Sequence, residues 1–170
     1  MALRELRAEL RAWAGPSTDA LGNAYERHAS KPRFVADLLR LAGEPETEVP
    51  ATWILRRRVE QAEPLSRAQT KRLVALLPAL ERWEARLHVL QCVPSLDLTA
   101  ADARALVPTV GADAGSPHNF VRAWAVSALC DVARVHDEHA GEARRALAAA
   151  ARDPSAAVRA RVRRLRARGG

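Results

Sequence analysis

Residues 53–78, WILRRRVEQAEPLSRAQTKRLVALLP, return thirty residues later as 83–108, WEARLHVLQCVPSLDLTAADARALVP. Trp53, Arg56, Val59, Gln61, Pro64, Ala75, Leu76 and Pro78 recur as Trp83, Arg86, Val89, Gln91, Pro94, Ala105, Leu106 and Pro108, eight identities in 26 ungapped positions. A fixed period in this range marks a unit that cannot bury its apolar face alone and stacks on copies of itself. The spacing predicts a helix over about Ala51 to Ala62, a turn at Pro64-Leu65-Ser66, a second helix from Ser66 to about Leu80, and the same pair again over 82–93 and 99–110. Thr99 and Asp102 have capping-box spacing. Pro78 and Pro108 fall late in the second helix of each pair, where a missing amide bond is expected to kink or end both at the same place.

Outward from this core the pattern stays helical. Ala, Leu and Arg dominate, and β-branched or aromatic residues rarely cluster, which favours an all-α chain by propensity. Toward the N-terminus, Leu3, Leu6 and Leu10 form one stripe that Gly15-Pro16 stops. Ser17, Thr18 or Asp19 can cap a second helix through Tyr25, and Ser30-Lys31-Pro32 opens a third that carries Phe34, Val35, Leu38, Leu39 and Leu41 before Gly43. Gly43 to Pro50 reads as a loop, and residues 1–49 as capping helices. Toward the C-terminus, Gly111 to Ser116 reads as an insert, and Pro117 opens a helix with Phe120, Val121, Trp124, Ala125, Ala128, Leu129 and Val132 on one apolar face. His136-Asp137-Glu138-His139 marks a turn before an Ala-rich helix over 140–151. Asp153-Pro154-Ser155 then starts the last helix.

The Asp153-Pro154-Ser155-Ala156-Ala157-Val158-Arg159 segment, followed by Val162 and Leu165, resembles the turn Asp and second-helix Val-Arg signature of HEAT repeats. Phe120-Val121-Arg122-Ala123-Trp124-Ala125 with Leu129 is similar, and Arg56 and Arg86 hold the corresponding place in the two thirty-residue blocks. The resemblance spans about residues 50–168. It implies an α-solenoid of about five antiparallel helix pairs in a single domain over 1–170, with repeats over 50–168. It also implies a structural column of Arg56, Arg86, Arg122 and Arg159 bonded to acids or carbonyls of the preceding turn, with Asp153 as the turn acid. The two blocks are shorter than the roughly 40 to 47 residues usual for that family, and neither has a turn Asp before its Arg. Trp53, Trp83 and Trp124 are expected to pack between repeats.

The net charge is +7, with 25 Arg and two Lys, and Arg152 onward holds seven Arg against Asp153 alone. GC-rich coding produces such an imbalance without selection for phosphate, so both a compositional and a nucleic-acid origin stay open. Cys92 and Cys130 lie among apolar residues, where a lone Cys acts as a small hydrophobe. No signal-peptide run or long apolar stretch is present, and a cytoplasmic location is expected. His136 and His139 flank two acids but sit where a turn must be polar, and no metal site or cofactor is expected. Ser127 and Cys130 lack a nucleophile elbow, and no phosphate-cradling glycine motif occurs.

The expected function is therefore non-enzymatic recognition of a protein or peptide, with Arg57, Arg58, His88, Asn119 and Arg163 as exposed contacts. The competing class is nucleic-acid binding through an Arg-rich groove. Its enzymatic variant rests on a resemblance in helix-pair architecture to HEAT-like alkylpurine DNA glycosylases, with Asp97 or Asp113 beside Trp83 or Trp124. The adjacent aromatic-aromatic-Asp motif of those enzymes is absent. No small-molecule substrate is evident in the sequence.

Overall fold

The computed structural model describes residues 2–15, 17–61 and 64–168. Pro16 and Ala62, expected as a helix stop and a helix end, lie outside the described residues. Among the described residues the chain is all-α, 77% helical when its three short 3-10 turns are counted, with ten α-helices and no strand. No helix among them is long and apolar enough to cross a membrane. Contacts divide the chain into two compact units, 1–97 and 98–170.

In the first unit, α1 (Ala2–Ala12), α2 (Asp19–His28), α3 (Phe34–Leu41), α4 (Glu48–Gln61), α5 (Arg67–Leu76) and α6 (Trp83–Cys92) follow one another. Helix α4 is the hub, packing on α2, α3 and α6, while α3 also meets α5. Leu6, Leu10, Leu21, Phe34, Leu38, Leu41, Ile54, Leu55, Leu73 and Leu90 fill the interior. Helix α4 begins three residues before its expected start and takes in Pro50. Proline is tolerated there because first-turn amides have no intrahelical acceptor to lose. Thr47, just before it, turns inward and donates its hydroxyl to the Leu41 carbonyl at 2.6 Å.

In the second unit, α8 (Asn119–Val135) is surrounded by α7 (Ala100–Asp113), α9 (Ala140–Ala150) and α10 (Ala156–Arg168). A helix packed on three sides buries most of its circumference. Val121, Ala123, Ala125, Val126, Ser127, Ala128, Leu129 and Val132 are all buried, and the many alanines let the neighbours approach closely. Ala123, Val126, Ala150, Val158 and Val162 form one cluster between α8, α9 and α10. Val121, Ala125, Ala128, Leu129 and Val132 of the expected stripe are buried, but the buried sector is wider than that stripe and takes in Ala123, Val126 and Ser127 as well. Phe120 is 53% exposed and Trp124 half-buried, so neither belongs to the core.

The two look-alike blocks build their second helices differently. Ser66 caps α5 with a full capping box, in which Gln69 answers back, and Thr99 does the same for α7 with Asp102. Ser66 and Thr99 are 33 residues apart, so α7 starts three positions later than the thirty-residue match requires. Pro78 consequently sits in a 3-10 turn that closes α5, whereas Pro108 lies inside α7, which runs on through Gly111 to Asp113. The expected common break at the two prolines and the expected insert from Gly111 are both corrected by this offset. Replacing Ser66 or Thr99 by Ala should cost about 1 kcal/mol each. Urea unfolding followed by circular dichroism measures it, and a loss of a few tenths for either would show the box to be idle.

Candidate polyanion-binding face

Of the five residues expected as exposed contacts, only Arg163 is exposed. Arg57 is half-buried, its guanidinium 5.3 Å from the Tyr25 ring centre, 5.8 Å from that of Trp53 and 3.5 Å from Glu26. Arg58 is half-buried as well. Asn119 is held in place, donating from Nδ2 to Ser155 Oγ at 3.3 Å and accepting from the Phe120 amide at 2.9 Å.

His88 belongs to a polar seam that joins the first helices of the two sequence blocks. Glu48, Thr52 and Arg56 occur at four-residue intervals on one side of α4. Glu48 accepts from the Arg82 backbone amide at 2.8 Å, Thr52 Oγ1 lies 3.1 Å from His88 Nδ1, and Arg56 donates to Gln91 at 3.1 Å. Burial, aided by the nearby charge of Arg56, pushes the His88 pKa down to about 4. An imidazole held this way is a seam group rather than a surface contact. Beside it, Cys92 donates to the His88 carbonyl at 3.3 Å, and burial raises its thiol to about 12, far from a reactive thiolate. Burial also raises the thiol of Cys130.

Three of the four repeat arginines bond the chain just before their helix. Arg86 donates to the Leu80 carbonyl at 3.0 Å, Arg122 to that of Ser116 at 2.8 Å, and Arg159 to that of Asp153 at 2.6 Å, each six residues back. Arg56 departs from this pattern, bonding Gln91 and lying 3.7 Å from Glu60. Arg122 also makes a two-pronged pair with Asp153, Nε to Oδ2 at 2.7 Å and Nη2 to Oδ1 at 2.9 Å. The hydrogen bond from Arg122 holds the Asp153 carboxyl below the usual range, and Asp153 Oδ1 accepts from the Ser155 amide at 2.8 Å. One acid thus links the α8 and α10 turns.

One stretch of exposed surface in the second unit runs along the outer side of α8 and along α10. Phe120, Trp124, Asp131 and Val135 fall on one stripe of α8 by the 3.6-residue period, and Phe120 and Val135 are its exposed large apolar groups. Helix α10 carries six Arg and no acid. Arg161, Arg164 and Arg168 share one of its faces, and the Arg161 guanidinium lies 3.6 Å from the centre of the Trp124 ring. That separation is a close cation–π stack, which fixes the cation over an aromatic plate. Burial, followed by repulsion from Arg164 and Arg168, lowers the Arg161 pKa, while Asp131 opposes the shift. Asp131 itself is tied to Arg134 at 2.9 Å. Among the described residues, Arg163, Arg164, Arg166 and Arg168 form no hydrogen bond or ion pair.

No known protein family, curated protein or solved structure matches this chain. The site therefore has to be read from its own chemistry, an arginine row on one helix with an aromatic plate beneath one of its members.

The other groups weighed for chemistry lie apart from this face or are otherwise engaged. Asp113 is buried, and Asp97 is an exposed residue 3.8 Å from Arg67. His136 donates from Nε2 to the Leu98 carbonyl at 2.9 Å, and no group of three or more His, Cys, Asp or Glu among the described residues is placed to share a metal ion. Trp124 and the terminal arginines stand out in the sequence, whereas the apolar stripe of α8 places the ring in the core. The signal that could have corrected it is the alanine content of α8, which marks a helix enclosed on several sides.

Proposed function

We propose that this chain is a HEAT-like helical-repeat binding module that engages nucleic acid through the α10 arginine face and Trp124. The observation that carries the reading is the Arg161–Trp124 stack at 3.6 Å, flanked by Arg164 and Arg168. Closely spaced guanidinium groups repel one another, and a phosphate chain running along the helix relieves that repulsion while releasing counterions. Phe120, one turn from Trp124 and exposed, offers a ring on which an unpaired base can stack, worth about 1–3 kcal/mol per base. The repeat reading is supported by the shared six-residue arginine-to-carbonyl bond of Arg86, Arg122 and Arg159 and by the Arg122–Asp153 pair.

The protein-or-peptide reading draws on Arg57, Arg58, His88, Asn119 and Arg163. Of these, Arg57, His88 and Asn119 are committed to contacts within the fold, and Arg163 lies on α10 itself. The α10 surface is cationic and carries no acid, which favours a polyanion.

A mobility shift with single-stranded and duplex DNA at about 50 and about 200 mM salt tests the proposal. The chain should retard both at the lower salt, single strands more strongly because their bases can reach Phe120. Reversing Arg161, Arg164 and Arg168 together to Glu should weaken the shift at least tenfold and leave the circular dichroism spectrum unchanged. Retention of the shift by that folded variant would reject the face. A base-release assay on alkylated DNA then separates plain binding from glycosylase chemistry.

A further inference from the structure

A cationic concavity lies in the first unit. A groove of about 920 Å³ is lined by Leu3, Lys31, Pro32, Arg33, Ala36, Asp37, Arg40 and Arg72. These residues come from α1, the segment before α3, α3 itself and α5. Helix α3 buries Phe34, Val35, Leu38, Leu39 and Leu41, which leaves Ala36, Asp37 and Arg40 on its outer side. The groove thus follows from the period of α3, with Leu3 and Arg72 brought in by the helices packed around it.

The charges in this groove are uneven. Lys31 is partly engaged, with its ammonium 2.8 Å from His28 Nδ1 and 3.6 Å from Glu5. The side chains of Arg33, Arg40 and Arg72 make no hydrogen bond or ion pair with any described residue, although the charge of Arg40 acts on Glu44, and Asp37 is the one carboxylate in the lining. Three guanidinium groups around one hollow, against the single carboxylate of Asp37, give it a cationic lining that a bound anion complements. Guanidinium presents two parallel N–H donors and so matches phosphate oxygens in two-pronged fashion. Leu3, Pro32 and Ala36 add an apolar patch, and the volume falls in the range of roughly 300–1,000 Å³ typical of small-molecule pockets.

We propose that this groove binds a small organic molecule bearing two or more phosphates, with the phosphates on Arg33, Arg40 and Arg72 and the organic part against Leu3, Pro32 and Ala36. The site is independent of the α10 face, so its test separates from that of nucleic-acid binding.

Isothermal titration calorimetry of the full chain with adenosine triphosphate and, separately, with inorganic tripolyphosphate provides the test. Both should bind saturably, adenosine triphosphate more tightly. The R33E/R72E variant, changed at two exposed positions, should weaken both at least tenfold, while the α10 triple reversal should leave them unchanged. Absence of saturable binding by either compound, or undiminished binding by R33E/R72E, would overturn the site. Equal affinity for the two compounds would overturn the part assigned to the apolar patch.

Discussion

Replacing Asp153 by Ala should destabilise the protein by about 1–3 kcal/mol, more than an exposed ion pair is worth but less than a fully buried one, because the Arg122–Asp153 pair is only part-buried. The side chains of Arg122 and Asp153 are only 17% and 10% exposed, and the contact is two-pronged. Truncation leaves the Arg122 guanidinium with its Ser116 and Pro117 carbonyls but no counter-charge, and it strips the Ser155 amide of its acceptor at the start of α10. Arg11 with Glu46 supplies the contrast, since that pair is 51% and 67% exposed. Glu46→Ala should cost about 0–1 kcal/mol by the same physics in water. Urea unfolding of both variants measures the difference, and equal losses would show that the Arg122–Asp153 link adds nothing special. The Asp153 contribution should persist through neutral pH and fade only as pH falls below the ordinary aspartate value of 3.8, because its folded pKa is lowered.

Stability should also decline as pH falls from about 6.5 to about 4, by up to about 3 kcal/mol, through His88. In the unfolded chain this imidazole titrates at its ordinary value of 6.5, and in the folded chain at about 4. Between those values the unfolded state binds the extra proton, so acidification favours unfolding, and above 6.5 the contribution is complete. The cause is burial in the α4–α6 seam with Arg56 nearby. His88→Gln removes the titration while keeping a polar group against Thr52. Its stability should therefore be flatter than that of the parent chain across this window. Parallel pH profiles of the two proteins would contradict the assignment.

The helical character of the chain was open to sequence reasoning because local signals agree with it. Thr99-x-x-Asp102 caps α7 as its spacing predicts, and Asp19, Phe34, Trp83 and Ala140 begin helices within a few residues of their expected starts. Pro108 was harder. Identity at thirty-residue spacing aligns it with Pro78, yet the second helices start 33 residues apart, and only the packed chain shows that one proline closes a helix while the other sits inside one. Phe120 and Trp124 were assigned to the core by periodicity, which locates an apolar stripe on a helix with one buried side. Helix α8 has three neighbours, so its buried sector is wider than one stripe, and its small residues Ala123, Ser127 and Ala128 are buried along with Val121, Val126, Leu129 and Val132, while the aromatic pair lies at the edge of that sector. The seam position of His88 and the convergence of Arg33, Arg40 and Arg72 depend on elements distant in sequence, and no local pattern encodes them.

The salt dependence of single-stranded DNA binding tests the central claim most directly. A face that engages three phosphates through Arg161, Arg164 and Arg168 should give a slope of log K against log salt near about −2, and the triple Glu variant a slope close to zero. Titration followed through tryptophan emission supplies both values, since Trp124 lies beneath Arg161. No binding at low salt, or the same slope in both proteins, would contradict the account.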